Sequence, residues 1–126
     1  MPVTFNHTVI PARNRDESAG FFRKLFELPK APSWGPFATI QLAEGVLLQF
    51  AGLPDVDQIH MHHYAFPFDN DLVDRAHARL QAGGTEHWAD PRMTRPGETN
   101  TEHGGRGVYF EDPVGHTIEM ISKPYL

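Results

Sequence analysis

The chain has no cysteine. That excludes disulfides, thiolate metal sites and cysteine nucleophiles, and it agrees with a reducing cytoplasm, the location expected. No apolar run approaches the roughly 20 residues that a membrane-spanning helix needs. The first seven residues lack the basic region and apolar core of a secretory leader, so none is expected. A surplus of cations is missing too: 11 Lys and Arg face 16 Asp and Glu, a net charge of −5. Such a surface neither neutralises a phosphate backbone nor docks on an anionic bilayer, so nucleic acid and membranes are not expected partners. What is present is 126 residues, 40% of them hydrophobic, enough for one domain with its own core. The oddity is eight histidines beside no cysteine, which directs attention to a histidine–carboxylate metal site.

Residues 4–10 are β-branched and aromatic and stop at Pro11, which reads as a strand. Asn14 followed by Glu17 forms a capping box, with Asp16 as the other candidate cap. Phe22, Leu25 and Phe26 then make one apolar helical stripe, which Pro29 is expected to end. Residues 37–42 and 46–50 read as strands joined by a turn at Ala43, Glu44 and Gly45. The order then restarts. Residues 60–68 read as a strand, and Asp69, Asn70 or Asp71 caps a helix bearing Leu72, Val73, Ala76 and Leu80. Gly83 and Gly84 end that helix. Strands follow at 86–89, 107–110 and 116–122, the last two joined by an Asp112-Pro113-Val114-Gly115 turn. This predicts an α+β domain of two βαβββ modules, about residues 1–55 and 56–126, whose sheets pair around an open, barrel-like cavity. The junction near residues 53–58 contains Pro54 and little Gly or Ser, so it is not read as a flexible linker. Residues 89–106 show no periodicity, and an unstructured segment of that length suggests a lid over a site.

Alternation along strands places His7 with Phe5 and Val9, His63 with Met61 and Ala65, and Glu119 with Thr117 and Ile121. A buried carboxylate without a partner is costly. Two neutral imidazoles and one carboxylate converging on a divalent cation would satisfy all three groups and leave positions open for water and substrate. A lone strand histidine is more often a packed or surface residue than a ligand, and the three are too far apart in sequence for spacing to help.

Asn6-His7-Thr8-Val9, His63-Tyr64-Ala65-Phe66 and the ending from Tyr109 through Asp112-Pro113-Val114-Gly115-His116 to Glu119 resemble the three signature strands of the vicinal oxygen chelate superfamily. That superfamily includes glyoxalase I, fosfomycin-modifying thiol transferases, extradiol dioxygenases and bleomycin-binding resistance proteins. The resemblance implies that His7, His63 and Glu119 are metal ligands for Fe, Mn, Zn, Ni or Mg, and it prefers His63 to its neighbour His62 because the ligand precedes Tyr-Ala-Phe. It also implies a homodimer acting on a small molecule. Gln49 stands where glyoxalase I-like members carry a fourth, carboxylate ligand; it is read either as a weak ligand or as a hydrogen-bonding wall residue. The missing carboxylate argues against ordinary glyoxalase chemistry. Val9, where fosfomycin-modifying relatives tend to have threonine, argues against that activity.

The expectation is therefore a metal-dependent enzyme that chelates a substrate with adjacent oxygens, dioxygenase-like or glyoxalase/lyase-like. Glu119 is its carboxylate, and Tyr109 is the hydrogen-bond donor to a developing oxyanion. His103, Arg92, Arg95 and Arg106 on the long segment are candidate substrate contacts, the arginines as clamps for an anion. Trp34 and Trp88 are read as packing residues that also suit an apolar mouth. The alternative is a metal-free protein that sequesters an antibiotic, as bleomycin-binding relatives do.

Overall fold

In the computed structural model of the chain, residues 2–31, 35–101 and 105–123 are described. They fall into two units, residues 1–60 and 61–126.

The first unit runs β1 (His7–Ala12), α1 (Arg15–Leu25), β2 (Phe37–Gln41), a 3-10 turn (Ala43–Gly45) and β3 (Leu47–Gly52). Asn14 caps α1: its side-chain oxygen accepts the N–H groups of Asp16 and Glu17 at 3.1 and 3.0 Å. The two acidic residues add favourable charge at the positive end of the helix. The helix stops at Leu25, ahead of Pro29. Glu27 turns left-handed (φ 57), and the Leu28 N–H closes on the Arg23 carbonyl at 2.9 Å. Glycine normally fills that position. Glu27→Gly is therefore expected to stabilise the protein by about 0.5 kcal/mol, the relief of left-handed strain slightly exceeding the added freedom of the unfolded chain. Urea unfolding measures it, and a lower midpoint would refute it.

The sheet order is β1-β3-β2, with β1 parallel and β2 antiparallel to β3. Ile10, Ala38 and Phe50 are aligned across the ladder, and Phe50 stacks on Phe22 of α1 at 5.3 Å. Ile10, Phe22 and Phe50 are each at most 1% exposed. β1 starts later than expected and continues through Pro11. The carbonyl of Asn6 accepts from Leu47 of β3 and that of Ala12 from Leu53 just past its end, so alternate residues bond that neighbour and Pro11 turns its ring nitrogen to the outer edge, where no ladder donor is needed. The junction is tied down: Arg13 donates to the carbonyls of Leu53 at 3.1 Å, Asp57 at 3.3 Å and Val56.

The second unit runs β4 (His63–Pro67), α2 (Asn70–Ala82), β5 (His87–Trp88), β6 (Gly107–Glu111) and β7 (Thr117–Ile121). Its sheet order is β4-β7-β6-β5, with β4 parallel to β7 and the other pairs antiparallel. Asp69 caps α2 by accepting the Leu72 N–H at 2.7 Å, and Gly83 caps its other end. Val73, Ala76 and Leu80 of α2 are buried, as are Phe66, Val108, Phe110, Ile118 and Met120 of the sheet.

The α+β class and the repeated strand–helix–strand order are as expected, and both sheets are open. The first unit has three strands among the described residues where four were expected. The segment before β2 carries Pro29 and Pro36, which remove ladder donors.

The described part of the long segment is fastened rather than lid-like. The Asp90 carboxylate accepts the N–H groups of Thr94 and Arg95 at 2.9 and 3.0 Å and the Thr94 hydroxyl at 2.6 Å. The Thr94 hydrogen bond leads in holding the Asp90 carboxyl below its usual range. Gly97 N–H bonds the His87 carbonyl at 2.8 Å, Asn100 and Gly107 exchange two backbone bonds at 2.9 Å, and the Asn100 amide reaches the Ala89 carbonyl at 2.7 Å. An aperiodic sequence conceals such a network because most of its donors are backbone groups.

Candidate metal centre

In the second unit, His63 lies opposite Thr117 and Ala65 opposite Glu119; Tyr109 of β6 faces Glu119 from the other side. Residues directly opposite project to one face. His63, Glu119 and Tyr109 therefore share a face, with the apolar set that includes Phe66, Phe110 and Ile118 on the reverse. His63 Nε2 lies 3.2 Å from Glu119 Oε1. The Tyr109 ring stands edge-on to His63, with centroids 6.3 Å apart. Trp88, aligned with Tyr109, joins this face. Glu119 is 4% exposed, whereas the His63 side chain is half exposed.

A carboxylate removed from water needs a proton, a cation or hydrogen bonds. The His63 imidazole supplies one partner. An imidazole nitrogen and a carboxylate oxygen directed at each other are also a donor pair that suits a divalent first-row metal, so these residues fit such an ion. Among the described residues, no three His, Asp or Glu side chains gather closely enough to hold a metal. The structure brings together His63 and Glu119, with Tyr109 beside them.

His62 takes the opposite side from His63. Its Nδ1 pairs with the Tyr64 hydroxyl at 2.6 Å, and its N–H donates to His116 Nδ1 at 2.9 Å.

His7 belongs to the first unit. It is the exposed first residue of β1, with Nδ1 2.6 Å from Asn6 Oδ1. On the same sheet face lies Gln49, opposite Val9 and 2% exposed, whose side-chain nitrogen has no hydrogen-bond partner among the described residues. The two units repeat a register. His7 pairs with Leu47 and Gln49 follows two residues on; His63 pairs with Thr117 and Glu119 follows two residues on. Gln49 is thus the first unit's counterpart of Glu119.

The arginines divide. Arg106 is committed to Asp74, with a second contact at 3.1 Å, and to the Asn70 carbonyl at 3.0 Å. It fastens the start of β6 to α2, which removes it as a substrate clamp and holds the Asp74 carboxyl below its ordinary range. Arg95 is 3.7 Å from Glu98, so its charge is partly answered. Arg92 is exposed. His103 and Trp34 lie outside the described residues. A cavity of about 190 Å³ in the first unit is lined by Asp16, Arg23 and Lys30 among others, and one of about 390 Å³ in the second by Gln81, His87 and Pro96 among others. Neither lining includes His63, Tyr109 or Glu119.

One cluster had no signal in the sequence: His77 of α2 and His87 of β5 meet Nε2 to Nε2 at 3.0 Å. His87 Nδ1 lies 3.0 Å from the Thr85 carbonyl, so Nδ1 carries the proton and Nε2 accepts from His77. Burial first, and His87 second, push the His77 pKa below its ordinary 6.5, with Arg106 in the same direction and Asp74 opposing. A folded-state pKa below the unfolded one means that the unfolded chain binds more protons in between. This contribution to stability is therefore complete above about pH 6.5 and lost as pH falls toward the depressed value. In His77→Gln, the fall in melting temperature on acidifying from neutral should be shallower than in the parent. Equal slopes would show that His77 makes no such contribution.

The chain matches the family model described as the Glyoxalase/Bleomycin resistance protein/Dioxygenase superfamily over residues 4–120. It is similar to the metallothiol transferase FosB of Shouchella clausii (strain KSM-K16), 28% identical over 120 residues, covering 91% of this chain and 77% of that relative. Among solved structures, oxidase ChaP-H2 is 39% identical with a TM-score of 0.94, covering 99% of this chain and 97% of its own. Oxidase ChaP-H1 is 40% identical with a TM-score of 0.93, covering 98% of both chains. The fosfomycin resistance protein FosX of Listeria monocytogenes, 18% identical with a TM-score of 0.74 over 100% of both chains, shares the fold alone.

Proposed function

The chain belongs to the glyoxalase/bleomycin resistance protein/dioxygenase superfamily, and from that premise we propose that it is a divalent-metal-dependent oxidase acting on a small molecule with two adjacent oxygens. The observation that carries the reading is the approach of His63 Nε2 to Glu119 Oε1 at 3.2 Å, on a sheet face that also bears Tyr109. The oxidases at 39% and 40% identity favour oxidative chemistry over the thiol transfer of the 28% identical relative.

His63 and Glu119 hold the metal, with His7 as the third ligand; the functional form is a homodimer. The metal supplies Lewis acidity toward two neighbouring substrate oxygens and, when it is iron, a redox centre. Glu119 brings a negative charge that offsets the cation in a buried position. His63, half exposed, leaves that side of the pair accessible to substrate. The Tyr109 hydroxyl donates a hydrogen bond to the substrate oxygen on which negative charge develops. Gln49, His103 and Arg92 are the candidate further contacts, Gln49 because its buried amide nitrogen makes no hydrogen bond among the described residues.

Two measurements test this reading. Elemental analysis of protein purified without a metal-affinity tag should find near-stoichiometric divalent metal. Oxygen-electrode assays with catechols and α-hydroxy ketones should then show metal-dependent dioxygen uptake that is slowed in Tyr109→Phe by about 100- to 1,000-fold, the range for loss of one oxyanion donor. Substoichiometric metal with no uptake on reconstitution would instead favour sequestration of an intact small molecule.

A further inference from the structure

Behind the His63–Glu119 pair lies a cluster that the proposed chemistry does not use: His62, Tyr64 and His116. His116 is completely buried and is delivered by a rigid turn. Asp112 Oδ1 accepts the N–H groups of Val114, Gly115 and His116 at 3.0, 3.0 and 2.9 Å. Gly115 takes φ 108, which side chains resist, and a Cβ there would meet Met61 Sδ at 3.1 Å. The His116 ring packs against that of His62 with centroids 4.9 Å apart.

The contact that matters is the His62 N–H donating to His116 Nδ1 at 2.9 Å. A backbone N–H can only donate, so Nδ1 presents its lone pair. The His62 carbonyl accepts the Thr117 N–H at 2.9 Å, and its ring pairs with the Tyr64 hydroxyl at 2.6 Å. The residue immediately before His63 is therefore held by its N–H, its carbonyl and its side chain. This matters because His63 is the first residue of β4, and chain ends of elements open more readily than their interiors. A ligand there drifts unless something fixes the backbone that carries it.

We infer that His116 is a positioning residue for the metal centre. Its Nδ1 continues the β4–β7 ladder by one bond beyond the strand, made through a side chain, and fixes the peptide from which His63 is aimed at Glu119. The inference rests on the reading of His63 and Glu119 as ligands. Partners that orient a ligand usually bond the second nitrogen of its imidazole; here the grip is on the backbone one residue earlier. The same geometry accounts for the His62-His63 doublet: His63 faces Glu119, and His62 is the anchored residue behind it.

The test uses the full chain with His116→Asn, His116→Gln, His116→Leu and His63→Ala. Asparagine places an amide oxygen near the Nδ1 position, whereas glutamine places its amide near Nε2. Zn²⁺ is the probe, its affinity read by competition with a chromophoric chelator. Exchange of the His62 amide is followed by NMR. His116→Asn should bind Zn²⁺ within about threefold of the parent, whereas His116→Gln and His116→Leu should lose about 10- to 100-fold, the range for loss of an orienting partner. The His62 amide should exchange at least about fivefold faster in those two variants alone, as for one hydrogen bond lost. The inference is overturned if His116→Gln binds as tightly as His116→Asn, or if the His62 amide stays equally protected in His116→Leu. The two readings separate cleanly: unchanged Zn²⁺ binding in His63→Ala overturns the ligand assignment itself, whereas loss there with no loss in His116→Gln or His116→Leu overturns only the positioning role.

Discussion

His63→Ala is expected to lower metal affinity by more than about 100-fold, beyond what loss of an orienting partner costs, and to abolish turnover, whereas His62→Ala should bind metal within about threefold of the parent. The contrast follows from strand alternation. The imidazole of His63 approaches Glu119 at 3.2 Å, while the His62 side chain turns to Tyr64 on the other side. Alanine at position 62 removes that ring but keeps the N–H that bonds His116. Chelator-stripped protein titrated with Zn²⁺ or Mn²⁺ gives the answer; loss at 62 with retention at 63 would mean that the register is wrong. Glu119→Leu completes the argument. Removing one member of a pair is costly mainly when it strands the other away from water; here the remaining partner, His63, is half exposed, so water can take the place of the carboxylate. The metal-free variant should therefore melt no lower than the parent, while the rise in melting temperature on adding metal disappears. A protein that sacrifices stability to keep a buried carboxylate is retaining it for function.

Phe50→Ala is expected to cost about 3–5 kcal/mol, the usual loss for a large aromatic core residue. Phe50 has no solvent exposure, stacks on Phe22 at 5.3 Å and lies in the middle strand, opposite Ile10 and Ala38. Neighbours on both sides of the ladder and on the helix cannot all collapse into the void. Against a total stability of about 5–15 kcal/mol this is a large fraction. Urea denaturation should show a lower midpoint at an unchanged slope; a loss below about 1 kcal/mol would mean that the cavity refills.

Much of this was readable from the residues. Asn14, Asp69 and Gly83 mark helix ends because capping is local chemistry. A period of two gives the neighbours of His63 and of Glu119 within their own strands, but that the two share a face depends on the β4–β7 register. The family resemblance rested on motifs that span both halves, and the match over residues 4–120 agrees with it. What the sequence could not disclose depends on tertiary partners. Arg106 looked like a free cation beside a flexible segment, but its guanidinium is used by Asp74 and the Asn70 carbonyl. Residues 89–101 looked unstructured because backbone groups and Asp90 organise them rather than an apolar pattern. His77 and His87 meet only because α2 and β5 do. His116 stood in a recognised motif, but its grip on the His62 amide is a contact between residues 54 positions apart.

Pro11 has a consequence for behaviour at high concentration. Among the described residues β1 borders its sheet, and a bordering strand is a template on which a foreign strand can add, as in fibril growth. Because Pro11, the fifth of the six residues of β1, directs a nitrogen without hydrogen outward, a strand adding along this border would meet a missing donor near its end. Exposed Phe5 and Val9 nearby would otherwise make this a sticky boundary. A missing donor at such a position disfavours self-templated strand addition.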